Sequence, residues 1–136
     1  MFSIHHVAIS VSNIKNSIEF YGLLNFKEVF HWKNEDASLQ IVHLRLGDFL
    51  LEMFSFQKNE KLEAVEFEKD LHFIGVKHFA LKVKSIEIAK DYFISNKVRE
   101  NIEIIQGRTG LKYFFITDPD NINLEIVEDN RQLHVS

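Results

Sequence analysis

The chain has 136 residues and a formal net charge of −4, and 46% of its residues are hydrophobic, including 13 phenylalanines. This length and composition fit one domain with ample side chains for a core. The absence of cysteine excludes disulfides and thiol catalysis. Basic residues are scattered, which argues against a nucleic-acid interface. No apolar run has the length of a membrane span and no export signal opens the chain, so we expect a cytoplasmic protein that does not bind membranes.

The first half of the chain predicts a strand, a helix and three further strands. The first strand runs from Ile4 to Val11, and Ser12 or Asn13 caps the helix that follows. The Gly47-Asp48 pair has the composition of a hairpin turn between the last two strands. The three later strands are expected at about residues 26–32, 39–46 and 49–54.

A charged stretch from Gln57 to Asp70 then interrupts this pattern, and we interpret it as a linker with room for a short helix. The pattern restarts with a strand from Val76 to Val83 and a helix that Ser85 caps and that ends near Asn96. Asp118-Pro119-Asp120-Asn121 predicts a tight turn before the last strand. The remaining strands are expected at about residues 102–106, 112–117 and 122–128.

The two halves also repeat a sequence motif. The segment His6-Val7-Ala8-Ile9-Ser10-Val11 returns as His78-Phe79-Ala80-Leu81-Lys82-Val83. Glu52 follows His6 by 46 residues (52 − 6), and Glu125 follows His78 by 47 (125 − 78). An internal repeat of this kind predicts two equivalent βαβββ units, about 1–56 and 76–128, within one domain of residues 1–136.

Alternation of side chains along a strand predicts where the repeated residues point. His6, Glu52, His78 and Glu125 each alternate with large apolar residues, on which the helices are expected to pack. The four candidates therefore belong to the other face, where two half-sheets curving together form a concave, partly wet pocket.

Two carboxylates in such a pocket repel each other unless a positive charge lies between them, and a divalent ion is the simplest one. Two imidazoles and two carboxylates suit a borderline first-row metal such as Ni, Zn, Co, Mn or Fe. Calcium prefers oxygen ligands, and closed structural zinc sites usually include sulfur. Other candidates are assigned no role in the site. We expect His5 on the helix side, His31, His43, His72 and His134 at surface or packing positions, and Asp118 and Asp120 in turn structure.

At these residues the chain resembles the vicinal oxygen chelate superfamily, from His5-His6-Val7-Ala8-Ile9 to the segment Asp118-Pro119-Asp120-Asn121-Ile122-Asn123-Leu124-Glu125-Ile126. The resemblance implies a glyoxalase-like α+β fold of paired βαβββ units, which form a cupped mixed sheet around one divalent metal. The four ligand positions of the family fall on His6, Glu52, His78 and Glu125.

Four ligands are most similar to the pattern of glyoxalase I (lactoylglutathione lyase). The resemblance implies a lyase or isomerase that abstracts a proton next to a carbonyl while Ni, Zn, Co or Mn stabilises the enediolate. Glu125 is then the base and Glu52 its partner for the other face. Two positions depart from glyoxalase I, because Ser10 replaces an arginine and Phe56 an asparagine, which argues against glutathione as the thiol.

Three other functions remain open. The first is an acyl-CoA epimerase similar to methylmalonyl-CoA epimerase, in which a CoA phosphate would be bound by Lys82, Lys84, Arg108 or Lys112. The second is a non-enzymatic protein that binds a small molecule or confers resistance to it. The third is an extradiol dioxygenase that uses Fe(II). The family resemblance also implies a homodimer. The metal site then forms either within one chain or across the dimer interface.

Overall fold

The computed structural model describes residues 1–135; Ser136, the last residue of the predicted domain, lies outside the described residues. The chain divides into two compact units. Unit 1 comprises Met1–Val65 together with Asp118–Asp120, and unit 2 comprises Glu66–Thr117 and the chain from Asn121 onward. The prediction that both units belong to a single domain stays a prediction.

Unit 1 is the first predicted βαβββ unit. Its elements are β1 (Val7–Ser10), α1 (Ile14–Leu23), β2 (Lys27–Lys33), β3 (Leu39–Leu46) and β4 (Phe49–Phe56). The strands form one sheet in the order β1-β4-β3-β2, in which β1 runs parallel to β4 and the other pairs are antiparallel.

Unit 2 repeats this order after a short helix. Its elements are α2 (Phe67–Asp70), β5 (Phe79–Val83), α3 (Ile86–Ser95), β6 (Ile105–Gln106), β7 (Lys112–Thr117) and β8 (Asn123–Glu128). The sheet order is β5-β8-β7-β6, again with a parallel β5-β8 pair and antiparallel neighbours. The predicted α+β class with two βαβββ units is confirmed.

Local chemistry explains where both long helices begin. The Asn13 side chain accepts a hydrogen bond from the backbone N–H of Asn16, and the Ser85 hydroxyl accepts one from Ile88. Each bond satisfies an N–H group that has no partner inside the helix. Of the two caps considered for α1, Asn13 is therefore the one used.

Two turns have the residues that their backbones require. Gly47 has a φ of 58° in the two-residue loop between β3 and β4, a conformation that glycine adopts without steric cost. Asn121 has a φ of 62° before β8, which asparagine tolerates better than most residues. Both predicted turns are confirmed.

Side chains of alternate residues on the central strands form the cores. Leu51 and Met53 on β4 are fully buried, as are Leu124 and Ile126 on β8. The glutamate between each pair points to the opposite face, because successive side chains in a strand alternate. Among the described residues, no helix has the length and apolarity needed to cross a membrane.

Candidate functional site

In unit 1 the strand register brings the predicted histidine and glutamate together. Ala8 lies opposite Glu52 in the parallel β1-β4 pair, and His6 comes two residues before Ala8, just ahead of the strand. Residues two apart in extended chain share a face. The His6 Nε2 atom accordingly lies 3.5 Å from Glu52 Oε1, and the two side chains are 38% and 18% exposed.

Unit 2 repeats this arrangement with the same register. Ala80 lies opposite Glu125 in the β5-β8 pair, and His78 comes two residues before Ala80. The His78 Nε2 atom lies 2.9 Å from Glu125 Oε2, and the side chains are 24% and 22% exposed. Each unit thus holds one histidine–glutamate pair that is partly open to solvent.

His43 contacts Glu52, a contact that our sequence reasoning missed. Its Nε2 atom lies 2.6 Å from Glu52 Oε2, and because a carboxylate only accepts, the imidazole N–H donates this bond. His43 also packs on Phe30, so its expected packing position stands, but it was assigned no contact with a candidate ligand. The sequence did contain a signal for this pairing. In a hairpin with a two-residue turn at Gly47-Asp48, the numbers of paired residues sum to 95 (47 + 48), and 43 + 52 is also 95.

The equivalent position in unit 2 is apolar. Phe115 lies opposite Glu125 in the β7-β8 pair, and its ring packs edge-on against His78 at a centroid distance of 4.9 Å. Phe67 of α2 packs on Phe115 at 4.6 Å. Phenylalanine offers no hydrogen bond to the carboxylate across the strand. The two glutamates therefore occupy equivalent positions with different neighbours.

The other candidates fall outside these pairs. His5 is exposed, and its ring meets the His6 ring with 2.8 Å between the two Nδ1 atoms, while its expected place on the helix side stays a prediction. Asp118 accepts a hydrogen bond from the backbone of Asp120, as expected for a turn residue. His31 contacts Gln40 through a 2.8 Å hydrogen bond.

Two exposed aromatic side chains lie on the same face of the unit 1 sheet as Glu52. The register aligns Phe30 of β2 with His43, and Phe56 of β4 shares the parity of Glu52. Phe30 and Phe56 are 49% and 47% exposed, and the Phe30 ring lies 5.2 Å from that of His43. An exposed aromatic surface beside polar groups suits a small organic ligand.

The donor set and its spacing fit a divalent metal. Two donors that each lie about 2.1 Å from one ion are separated by about 3.0 Å at a right angle and about 3.4 Å at a tetrahedral angle. The His6–Glu52 separation of 3.5 Å is close to the tetrahedral value, and the His78–Glu125 separation of 2.9 Å, which is close to the right-angle value, is also that of a hydrogen bond. Within residues 1–135, no group of three or more His, Asp or Glu residues is placed so that it could hold a metal ion.

One buried nitrogen in unit 2 has no hydrogen-bond partner. The Nδ1 atom of His78 is unpartnered among the described residues, while Nε2 contacts Glu125. A neutral imidazole that bound an ion through Nε2 would carry its proton on Nδ1, and this N–H would be as unsatisfied as that of a charged imidazolium. The unpartnered nitrogen therefore does not distinguish a ligand role from a structural ion pair.

Comparison with known proteins agrees with this geometry. Residues 3–126 match the family model described as the Glyoxalase/Bleomycin resistance protein/Dioxygenase superfamily. The uncharacterized protein YwkD of Bacillus subtilis is 28% identical over 132 residues, which cover 93% of this chain and 96% of YwkD. A glyoxalase family protein from Enterococcus faecalis is 30% identical, with a TM-score of 0.75 and coverage of 93% of this chain and 97% of that one.

A more distant structure shares the fold alone. The trypanothione-dependent glyoxalase I of Leishmania major is 19% identical, with a TM-score of 0.69 and coverage of 94% of this chain and 87% of that one. The family match extends over both βαβββ units and includes His6, Glu52, His78 and Glu125. This chain belongs to the Glyoxalase/Bleomycin resistance protein/Dioxygenase superfamily.

Proposed function

We propose that this protein is a divalent-metal-dependent lyase or isomerase of the glyoxalase I type, acting on a small carbonyl compound. The observation that carries the proposal is the recurrence of one histidine–glutamate pair, at the same strand register, in both units. A structural ion pair has no reason to recur at equivalent positions on a partly exposed face. A shared function at the four residues does explain it.

The proposed metal ligands are His6, Glu52, His78 and Glu125. The ion, one of Ni, Zn, Co or Mn, supplies a Lewis acid that stabilises negative charge on the oxygen of the substrate. Two imidazoles and two carboxylates bind such an ion without a cysteine thiolate, which this chain lacks.

Glu125 is the proposed general base. It takes the proton from the carbon next to the carbonyl and returns it to the neighbouring carbon, so that no proton is gained or lost overall. This role requires a carboxylate that can turn toward the substrate. Phe115, across the strand from Glu125, offers no hydrogen bond to the carboxylate, so the contact that must loosen for this role is the 2.9 Å hydrogen bond from His78 to Oε2.

Glu52 has the complementary role of a fixed carboxylate. Its Oε2 atom accepts the 2.6 Å hydrogen bond from His43, and its Oε1 atom faces His6. The exposed ring of Phe30, which packs on His43, supplies apolar contacts to a substrate and excludes water. Ser10 and Phe56 replace the polar groups used for glutathione, so we propose an α-hydroxycarbonyl or a hemithioacetal of another thiol.

The first experiment is a turnover assay of metal-supplied protein with adducts of methylglyoxal and a panel of thiols. We expect Glu125→Gln to lower kcat by about 10²- to 10⁴-fold, the usual contribution of a general base. Glu87→Gln is the matched control, because Glu87 is an exposed residue of α3 that pairs with Lys112. Full activity in Glu125→Gln would exclude this residue as the base.

A small-molecule binding protein is the second candidate function, favoured by the exposed aromatic side chains on the same face of the sheet as Glu52. It predicts that the metal-loaded protein binds chelating or flat aromatic compounds without converting them. Calorimetry with such compounds, combined with product analysis of the same samples, separates the two functions, because saturable binding with no product favours the binding protein.

A further inference from the structure

The two units differ at the position across the strand from the glutamate. In unit 1 this position is His43, paired with Glu52, whereas in unit 2 it is Phe115, paired with Glu125. The register around both glutamates is otherwise the same, since Ala8 and Ala80 are their partners on the parallel strand. The strand neighbour of Glu52 is therefore a hydrogen-bond donor, whereas Glu125 takes its 2.9 Å hydrogen bond from His78 instead.

His43 engages the one oxygen of Glu52 that does not face His6. The His43 Nε2 atom lies 2.6 Å from Oε2, while His6 lies 3.5 Å from Oε1. The His43 and Glu52 side chains are only 24% and 18% exposed, so water competes weakly for this bond. A short, charge-assisted bond of this kind fixes the plane of the carboxylate.

The spacing separates a positioning role for His43 from a ligand role. Two donors on one ion lie at least about 3 Å apart at ordinary metal–ligand distances, so 2.6 Å is too short for His43 and Glu52 to share an ion. The distance is that of a hydrogen bond through a proton. Packing against Phe30, at a ring distance of 5.2 Å, orients the imidazole.

We propose that His43 is a positioning residue that holds Glu52 in place as a carboxylate of the metal centre. The inference rests on the proposed function, because Glu52 is one of the proposed ligands. Outer hydrogen bonds of this kind orient metal ligands, and their removal typically costs about 10- to 100-fold in metal affinity. Glu52 Oε1 is then the atom presented to the ion.

The test measures the dissociation constant of Co²⁺ by chelator competition, together with the absorption spectrum of the Co²⁺ protein. His43→Phe, which copies the unit 2 residue, is expected to weaken binding by about 10- to 100-fold and to change the spectrum. His43→Gln retains an N–H donor and is expected to recover most of the affinity. His31→Phe, the same substitution at an exposed residue bonded to Gln40, is expected to bind as the wild type does.

Each other outcome has a definite meaning. Wild-type affinity in His43→Phe overturns the positioning role and leaves the proposed function standing. If both His43 variants lose Co²⁺ as completely as His6→Ala does, His43 is itself a metal ligand, and the positioning role is again overturned. A wild type that binds no Co²⁺ refutes the proposed function and this inference together. His43→Leu replaces His43→Phe in the comparison if thermal unfolding shows that the phenylalanine variant is not folded.

Discussion

Tyr21 of α1 is fully buried, and its hydroxyl donates a 2.9 Å hydrogen bond to Asp118 in the turn that belongs to unit 1. Burial raises the pKa of Tyr21 above its usual range, and the negative charge of Asp118 raises it further. Asp118 is itself only 4% exposed, so its carboxylate depends on protein donors rather than on water. The pair is a structural contact of the core, distinct from the histidine–glutamate pairs.

Tyr21→Phe is expected to lower the free energy of unfolding by about 1–3 kcal/mol at pH 7, because a buried carboxylate loses a donor. Urea unfolding of both proteins measures the change. Tyr113→Phe is the matched control, since Tyr113 is partly exposed and belongs to unit 2, and its effect is expected to stay within about 0.5 kcal/mol.

The same pair predicts a pH dependence. Below about pH 10 Tyr21 is protonated in both the folded and the unfolded chain, so the wild type keeps its full excess in free energy of unfolding over Tyr21→Phe. Above that pH the unfolded chain ionises while the raised pKa keeps the folded phenol neutral. The stability difference between wild type and Tyr21→Phe should therefore shrink as the pH rises from 8 to about 10.5. A difference that grows over this range contradicts the buried, neutral phenol.

Among the helices and strands, the features set by local chemistry were the ones that the sequence predicted. Helix caps, the Gly47-Asp48 hairpin and the left-handed Asn121 each depend on one or two residues. Strand ends depend on pairing with distant chain instead. β1 begins at Val7 rather than at Ile4, because pairing with β4 covers only Val7 to Ser10. β6 has just two residues, because only Ile105 and Gln106 pair with β7.

The substitution of serine by alanine is expected to have opposite effects on stability at two positions, one inside α1 and one at the start of α3. The Ser17 hydroxyl in α1 is buried and has no hydrogen-bond partner among the described residues, so Ser17→Ala should be neutral or stabilise by up to about 1 kcal/mol. Ser85 caps α3, so Ser85→Ala should cost about 1 kcal/mol. Chemical denaturation measures both variants. Strong destabilisation by Ser17→Ala would mean that the hydroxyl has a buried partner.

At the scale of the whole molecule, the internal repeat is what made the candidate site predictable. The nearly equal spacing of His6 to Glu52 and of His78 to Glu125 singled out four residues, and the structure pairs them two by two within the units. His43 was missed for the same reason, because it has no counterpart in the second unit. A residue that occurs in only one copy of a repeat, such as His43, cannot be found by comparing the copies. It is found from the strand register, which shows what lies opposite each glutamate.

The fold follows from this repetition, while the substrate does not. Both units bury alternate residues of their central strands and present the glutamates on the opposite face, which the hydrophobic pattern predicts. The family match then extends over residues 3–126 and includes proteins of several activities. Substrate choice depends on a few side chains such as Ser10 and Phe56, whose polarity alone does not define a ligand.

The central claim, that the four repeated residues hold one divalent metal, is tested most directly by metal analysis of the purified protein after incubation with Ni, Zn, Co or Mn and removal of free ions. The matched comparison is the double variant Glu52→Gln, Glu125→Gln against Glu63→Gln, Glu87→Gln, which changes two exposed glutamates. We predict about one ion per chain in the wild type and the control, and almost none in the site variant. Equal metal in both double variants, or none in the wild type, would contradict the four-ligand centre.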